Sequence, residues 1–204
     1  MEFVTGGSGA LRDRDLRRTA QPTRPNLAAP GGDEPESRKL GCVLYTGGQR
    51  VTGDLQTTLA RLSDAMNMMV QPFIALTDAQ QEALDGSGAP DALRRVLVSR
   101  TSVILALPFL RGRSEAPAPT PTTPGLLQPR LQTRVRLTAR GYTVTGVLHL
   151  PTDNDLQQVL GNTDGQPFLA VTEATVIAPH TQFEAPFLLV NRTAIETAGE
   201  LAAG

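Results

Sequence analysis

The chain has 204 residues, and its 19 Lys plus Arg nearly balance 20 Asp plus Glu, so no net field draws it toward nucleic acid or an anionic membrane. Aromatic residues make up only 4 % and Trp is absent, which argues against a platform of rings for stacking single-stranded nucleic acid. Cys42 is the only cysteine, which excludes an intrachain disulfide framework and a CxxC metal or redox motif.

The N-terminal segment mixes Gly, Pro, Ala and both charge signs without helical or strand periodicity. Such a composition buries too little apolar surface to offset the entropy of ordering, so residues 1–38 are predicted to form a disordered tail. Its short apolar patch precedes the charged residues, which is the reverse of an export signal. The longest apolar run, VILALPFL at 103–110, is too short to span a bilayer. We therefore expect a cytoplasmic protein with no membrane segment.

Residues 39–110 are predicted to form a first β-rich module. The segment GCVLYTGGQRVTGDLQT indicates two strands joined by a turn at Gly47 and Gly48. Gly53 inside the second strand predicts a bulge or bend that curls the sheet. Apolar residues at helical spacing in TTLARLSDAMNMM predict a short helix. Two further β segments are predicted by QPFIALTDA, which has proline at the strand entrance, and by the long run RVLVSRTSVILAL.

A dense group of prolines at residues 111–129 predicts a semi-extended linker. It leads to a second β-rich module at residues 130–204. This module has a matching strand pair around a turn at Gly141, a glycine at position 146 inside a strand, and a shorter helical segment in NDLQQVLGN.

Three segments of the first module recur in the second, in the same order. They are VTGDL (51–55) and VTGVL (144–148), QPFIALTDA (71–79) and QPFLAVTEA (166–174), and VLVSRTSV (96–103) and LLVNRTAI (188–195). Such self-similarity indicates a tandem duplication. The expected fold class is mainly β with short helices (α+β), built from two small curled-sheet or barrel-like modules. Duplicated modules often pair, so we expect an intrachain pseudo-dimer or a homo-oligomer.

The first module resembles uncharacterised bacterial domains with the pattern G-x-L, R-L-S-D-x-x-N and F-x-x-L-T-D-A. The residues that carry this resemblance are Gly53, Leu55, Arg61, Leu62, Ser63, Asp64, Asn67, Phe73, Leu76, Thr77, Asp78 and Ala79. A glycine in a bent second strand is also similar to the small barrels of Sm-like proteins. The R-L-S-D-x-x-N element is absent from the second module, so its role is limited to the first. The resemblance implies a curled β fold and no particular activity.

No catalytic or metal-binding set assembles from the sequence. His149 and His180 lie in different predicted elements, and Cys42 sits in an apolar strand pattern typical of a small core residue. The alternatives are a zinc site that uses both histidines, Cys42 and a fourth ligand, and a Cys42–His149 nucleophilic pair, and each requires long-range convergence. We therefore expect no catalytic residue, no metal and no cofactor.

The segment R-L-S-D-A-M-N is the most motif-like stretch of the chain. Its polar side chains predict a surface that grips a partner or the other module. The alternative is that they satisfy backbone groups at a helix end. The residues of this candidate partner surface are Arg61, Ser63, Asp64 and Asn67.

An arginine-rich strand face is predicted between residues 130 and 140, where polar and apolar residues alternate. This face, together with the arginines of the repeated S/N-R-T segments, is a candidate contact for phosphate groups or nucleic acid. The alternatives are a solvated face, protection of an edge strand, and structural ion pairs for the S/N-R-T arginines. The candidates are Arg130, Arg134, Arg136, Arg140, Arg100 and Arg192.

The sequence favours a non-enzymatic binding or assembly protein, an adaptor or scaffold that contacts a protein partner or another copy of itself. The alternative is a nucleic-acid-binding protein that uses the arginine-rich strand face. Because acidic residues outnumber basic ones in the second module, the adaptor hypothesis is preferred.

Overall fold

The structure, a computed structural model, describes residues 37–109, 130–151, 155–161, 166–178 and 180–202. The linker predicted at 111–129, and the predicted tail apart from residues 37 and 38, lie outside these ranges. Antiparallel strands dominate the described residues, so the prediction of a mainly β chain with short helices is confirmed.

The described residues form ten strands and two short α-helices. The strands of the N-terminal half are β1 (Arg38–Tyr45), β2 (Gln49–Thr57), β3 (Phe73–Ala83), β4 (Asp91–Ser99) and β5 (Leu105–Pro108). Those of the C-terminal half are β6 (Arg130–Ala139), β7 (Tyr142–Pro151), β8 (Phe168–Ala178), β9 (Thr181–Asn191) and β10 (Ile195–Glu200). Helix α1 (Leu62–Met68) connects β2 to β3, and helix α2 (Leu156–Gly161) lies between β7 and β8.

All ten strands belong to one antiparallel sheet with the order β10-β6-β7-β8-β9-β5-β1-β2-β3-β4. The two halves therefore have the same strand order. In each half the fifth strand lies at one edge beside the first strand, and the second, third and fourth strands follow in sequence to the other edge. The halves meet where β5 pairs with β9. In the part of the chain that the structure describes, the sheet ends at β10 on one side and at β4 on the other.

Gly53 and Gly146 lie at irregularities in the sheet, as predicted. The register of β2 with β3 shifts between Thr52 and Asp54, and that of β7 with β8 shifts between Thr145 and Val147. A Cβ atom at Gly53 would lie 3.0 Å from Leu76 Cβ, and one at Gly146 would lie 2.5 Å from Val171 Cγ1. Only glycine permits this close approach of neighbouring strands.

The acidic residues of the repeated QPF segments occupy the facing side of these bulges. Asp78 has φ 50° and Glu173 has φ 49°, so both adopt the left-handed conformation that β-bulges often require. Asp78 accepts a hydrogen bond from Lys39 Nζ at 3.1 Å. Asp78 and Glu173 thus sit at a backbone feature that both halves share.

The segment RVLVSRTSVILAL departs from its prediction as one long β stretch. The structure divides it into β4 and β5 by a turn in which Ser102 N donates to the Ser99 carbonyl at 3.0 Å. The Ser102 hydroxyl donates to the same carbonyl at 2.8 Å and stabilises the turn. This break redirects the chain, so that β5 pairs with β1 instead of extending β4.

The apolar core extends through both halves without interruption. One cluster combines Tyr45 and Leu105 of the N-terminal half with the apolar residues of β6 to β9. The other combines α1 and the strands of the N-terminal half with Phe168 and Leu189 of the C-terminal half. Burial of apolar surface therefore holds the halves together as well as stabilising each one.

Candidate functional site

The pairing of β5 with β9 forms the centre of the junction between the halves. Leu105 lies opposite Val190, and Ala106 lies opposite Leu189. All four side chains are fully buried. One further backbone bond, from Asn191 N to the Ile104 carbonyl at 2.9 Å, continues the ladder. An apolar strand from one half is thus added to the sheet of the other.

Asn191 closes one end of this junction. With 3 % exposure it is the only polar residue buried in the described ranges. Its Nδ2 donates to the Val103 carbonyl at 2.8 Å, while its Oδ1 accepts from Thr193 N at 3.1 Å and from Thr193 Oγ1 at 2.9 Å. The amide therefore ties the turn after β9 to the strand entering β5, and it satisfies groups whose burial would otherwise be costly.

Asn67 of α1 supplies a second contact between the halves. Phe168 N donates to Asn67 Oδ1 at 2.9 Å, and Asn67 Nδ2 donates to the Phe168 carbonyl at 3.1 Å. The side-chain amide thereby imitates a paired strand. Arg100 Nη2 donates to the carbonyls of Met66 at 2.8 Å and Asn67 at 3.3 Å, which satisfies acceptors at the end of α1. Burial lowers the pKa of Arg100 from its ordinary value.

The remaining members of the candidate partner surface do not make this contact. Arg61 precedes α1 and has no side-chain capping bond, and Asp64 is exposed. The Ser63 hydroxyl donates to Asp64 Oδ1 at 3.3 Å, which is a local bond. Of the four residues predicted from R-L-S-D-A-M-N, Asn67 is the one that hydrogen-bonds to the other half.

A small aromatic group joins the halves on the opposite side of the junction. The Tyr45 ring stacks on Phe183 with centroids 5.3 Å apart and meets Tyr142 edge-on at 6.1 Å. The Tyr142 hydroxyl donates to the Thr46 carbonyl at 2.8 Å. Burial raises the pKa of Tyr45 above its ordinary value and raises the pKa of Tyr142 to about 12.

Alkaline titration of the tyrosines tests this arrangement. The chain has 2 Tyr, and the fold raises the pKa of both. Ultraviolet absorbance of the folded protein is therefore expected to show no tyrosinate step near the ordinary tyrosine pKa of about 10. In urea both should titrate near that value. Because the folded pKa of Tyr142 is raised, its contribution to stability is complete below about pH 10 and is lost as the pH rises toward about 12. A native step near pH 10 would show that the junction leaves a tyrosine in water.

The arginine-rich strand face lies on β6, where the predicted alternation holds from Val135 onward, whereas Leu131 is 55 % exposed. Val135, Leu137 and Ala139 are buried, whereas the arginines on this segment are exposed. Arg140 lies beyond the strand, in a turn with φ 45°, and is followed by Gly141 with φ 87°. The exposed set is Arg130, Arg134, Arg136 and Arg140.

A cleft of about 680 Å³ brings together residues from both candidate groups. Arg61, Arg130 and Arg192 line it from three distant parts of the sequence, together with Asn67 and Asp64. His149 also lines it, with Nε2 at 3.0 Å from Thr172 Oγ1. The sequence places His149 and His180 in different predicted elements and does not indicate that His149 lies beside these arginines.

The described residues contain no group of three or more His, Cys, Asp or Glu arranged to hold a metal ion. Cys42 is fully buried in the core, and burial raises the pKa of its thiol to about 12. A thiol with so high a pKa is a poor nucleophile at neutral pH. None of the helices in the described ranges has the length and apolar character needed to cross a membrane.

In comparisons with known proteins, no family model matches this chain and no curated protein is significantly similar to it. Functional inference therefore rests on the geometry of the junction, the cleft and the two sheet edges.

Proposed function

We propose that the protein is a non-enzymatic scaffold or adaptor, built from a duplicated β module, which assembles protein chains through its sheet edges. On this proposal the two halves are tandem copies that pack as a pseudo-dimer of small Sm-like curled sheets. The shared strand order, the shared bulges at Gly53 and Gly146, and the left-handed Asp78 and Glu173 support a common module.

The observation that carries the proposal is a difference in exposure between equivalent residues. Phe168 and Leu189 are 2 % and 0 % exposed, because the junction covers them. Their counterparts in the repeat, Phe73 and Leu97, are 53 % and 57 % exposed at the edge formed by β3 and β4. Large exposed apolar side chains on a terminal strand and on the strand beside it mark a surface suited to strand addition.

Introducing a charge at this edge is expected to weaken assembly. In the full chain, Leu97→Glu should shift assemblies toward single chains and raise the concentration needed for association at least about tenfold, since an edge-strand charge opposes strand addition. The matched control is Ile177→Glu. Ile177 is 52 % exposed on β8, away from both ends of the sheet, so this variant should assemble as the unaltered chain does.

Size-exclusion chromatography with light scattering provides the measurement. If the unaltered chain stays single at every concentration tested, or if Leu97→Glu and Ile177→Glu behave alike, the proposed function is wrong. Thermal unfolding of each variant shows whether the fold is retained, which is expected because both side chains are largely exposed.

The nucleic-acid alternative stays a prediction. The exposed arginines of β6 and the cleft with Arg61, Arg130 and Arg192 are the features that favour it. However, β10 pairs directly with β6 and carries Glu196 and Glu200, which lower the positive potential beside that strand. The edge proposal accounts for the exposed apolar residues, and the nucleic-acid alternative does not.

A further inference from the structure

The strands at the two ends of the sheet, β4 and β10, correspond to the two strands that join the halves, β9 and β5. Strand β4 is equivalent to β9 through VLVSRTSV and LLVNRTAI, and continuing the same alignment makes β10 equivalent to β5. Strand β9 pairs with β5 inside the chain, so β4 of one chain and β10 of another are the strands that correspond to this pair. We propose that β10 of one copy pairs with β4 of the next, head to tail. This inference rests on the proposed function.

The internal junction fixes the register of the proposed pairing. Leu105 lies opposite Val190 and Ala106 lies opposite Leu189. The aligned positions place Thr197 opposite Val98 and Ala198 opposite Leu97. The exposed Leu97 side chain thereby faces a small residue, as Leu189 faces Ala106 in the internal junction.

Charge complementarity supports this register independently. Two residues further along the antiparallel pair, Glu200 lies opposite Arg95, and both side chains are exposed in the single chain. In the alignment these positions correspond to Pro108 and Phe187, so an acid and a base stand where the internal junction has two apolar residues. Opposite charges directly across a strand pair stabilise it, whereas like charges destabilise it.

The β10 side also offers space for the exposed phenylalanine. In the internal junction Phe168 is buried against α1 residues such as Met66 and bonds to Asn67. At the other end of the sheet a shallow, open cleft lies between α2 and β10, lined by Leu156, Leu160, Ala198 and Glu200. We infer that Phe73 of the next copy enters this cleft, because Phe73 is the counterpart of Phe168 and α2 follows β7 as α1 follows β2.

The proposed contact is heterologous, since one edge of each chain meets the other edge of its neighbour. Repetition of such a contact gives a closed ring or an open filament instead of a two-fold dimer. If β4 is blocked on one chain and β10 is blocked on another, the two chains can still form one junction with each other through their unblocked edges. Growth then stops at a pair.

Charge reversal in the full chain tests the register. Arg95→Glu and Glu200→Arg are each expected to raise the concentration needed for association about tenfold, because each places like charges in opposition. The double variant restores opposite charges and should assemble within about threefold of the unaltered chain. The matched control is Arg94→Glu, which makes the same charge change on β4 but lies opposite Leu201, and it should have a smaller effect.

Mixing two variants that each block one edge with the same charge tests the polarity. An equimolar mixture of Leu97→Glu and Ala198→Glu should form pairs of chains, through the one junction that keeps Leu97 opposite Ala198, and nothing larger, because the two altered edges repel each other. If Glu200→Arg has no effect, or if the double variant stays as weak as the single ones, the head-to-tail pairing is wrong. Sensitivity to Leu97→Glu would then still leave the proposed function standing, so the two failures are distinguishable.

Discussion

Replacement of Phe168 by alanine is expected to lower the free energy of unfolding by about 3–5 kcal/mol, the usual cost of removing a buried phenylalanine. The side chain is 2 % exposed and packs in the cluster formed with α1 and the N-terminal strands. Its loss would leave a cavity at the contact between the halves. Because Asn67 bonds to the backbone of residue 168, that hydrogen-bonded pair remains and cannot compensate for the lost packing.

The phenylalanine of the similar segment in the N-terminal half supplies the matched control for this experiment. Phe73 occupies the equivalent position but is 53 % exposed, so Phe73→Ala should cost less than about 1 kcal/mol in a single chain. Urea unfolding of both full-length variants, at concentrations below those that permit association, provides the comparison. Equal costs would show that the internal junction does not bury Phe168 as described.

Replacement of Gly146 by alanine is expected to cost about 3 kcal/mol, since overpacking of a dense region commonly costs this much. A Cβ atom there would lie 2.5 Å from Val171 Cγ1 and 2.8 Å from the Thr172 carbonyl oxygen. The carbonyl belongs to the backbone of β8, so relief requires the two strands to move apart. Such a movement would disturb the bulge that lets β7 and β8 shift register.

Two further glycines calibrate this effect. Gly53 is the counterpart of Gly146, but its nearest contact would be 3.0 Å, so Gly53→Ala should be less costly. Gly47 lies in a turn with nothing within 4 Å of an added Cβ, so Gly47→Ala should be nearly neutral. Chemical unfolding that ranks the three variants in any other order would contradict the packing at the bulges.

The local features of the fold could be predicted from particular residues. Gly47 and Gly48 mark the first hairpin. Gly53 and Gly146 mark the bulges, where an added Cβ would crowd the neighbouring strand. The alternation on β6 identified its buried face, since successive side chains of a strand point to opposite sides. Each of these signals resides within a few neighbouring residues.

The junction could not be predicted in the same way, because it depends on contacts between residues far apart in the chain. Asn67 pairs with a backbone segment about half the chain away, and nothing in its neighbours indicates that partner. The exchange of Ser99 for Asn191 between the repeats is a local signal that sequence reasoning did not use. The longer amide of Asn191 reaches the Val103 carbonyl, whereas Ser99 lies at the other end of the sheet.

The solution mass of the full-length chain, measured by light scattering over a wide range of concentrations, tests the central claim most directly. If β4 and β10 are complementary edges, the mass should rise above the single-chain value of 21.7 kDa and the rise should be reduced by Leu97→Glu but not by Ile177→Glu. A constant mass of 21.7 kDa at every concentration would contradict the account.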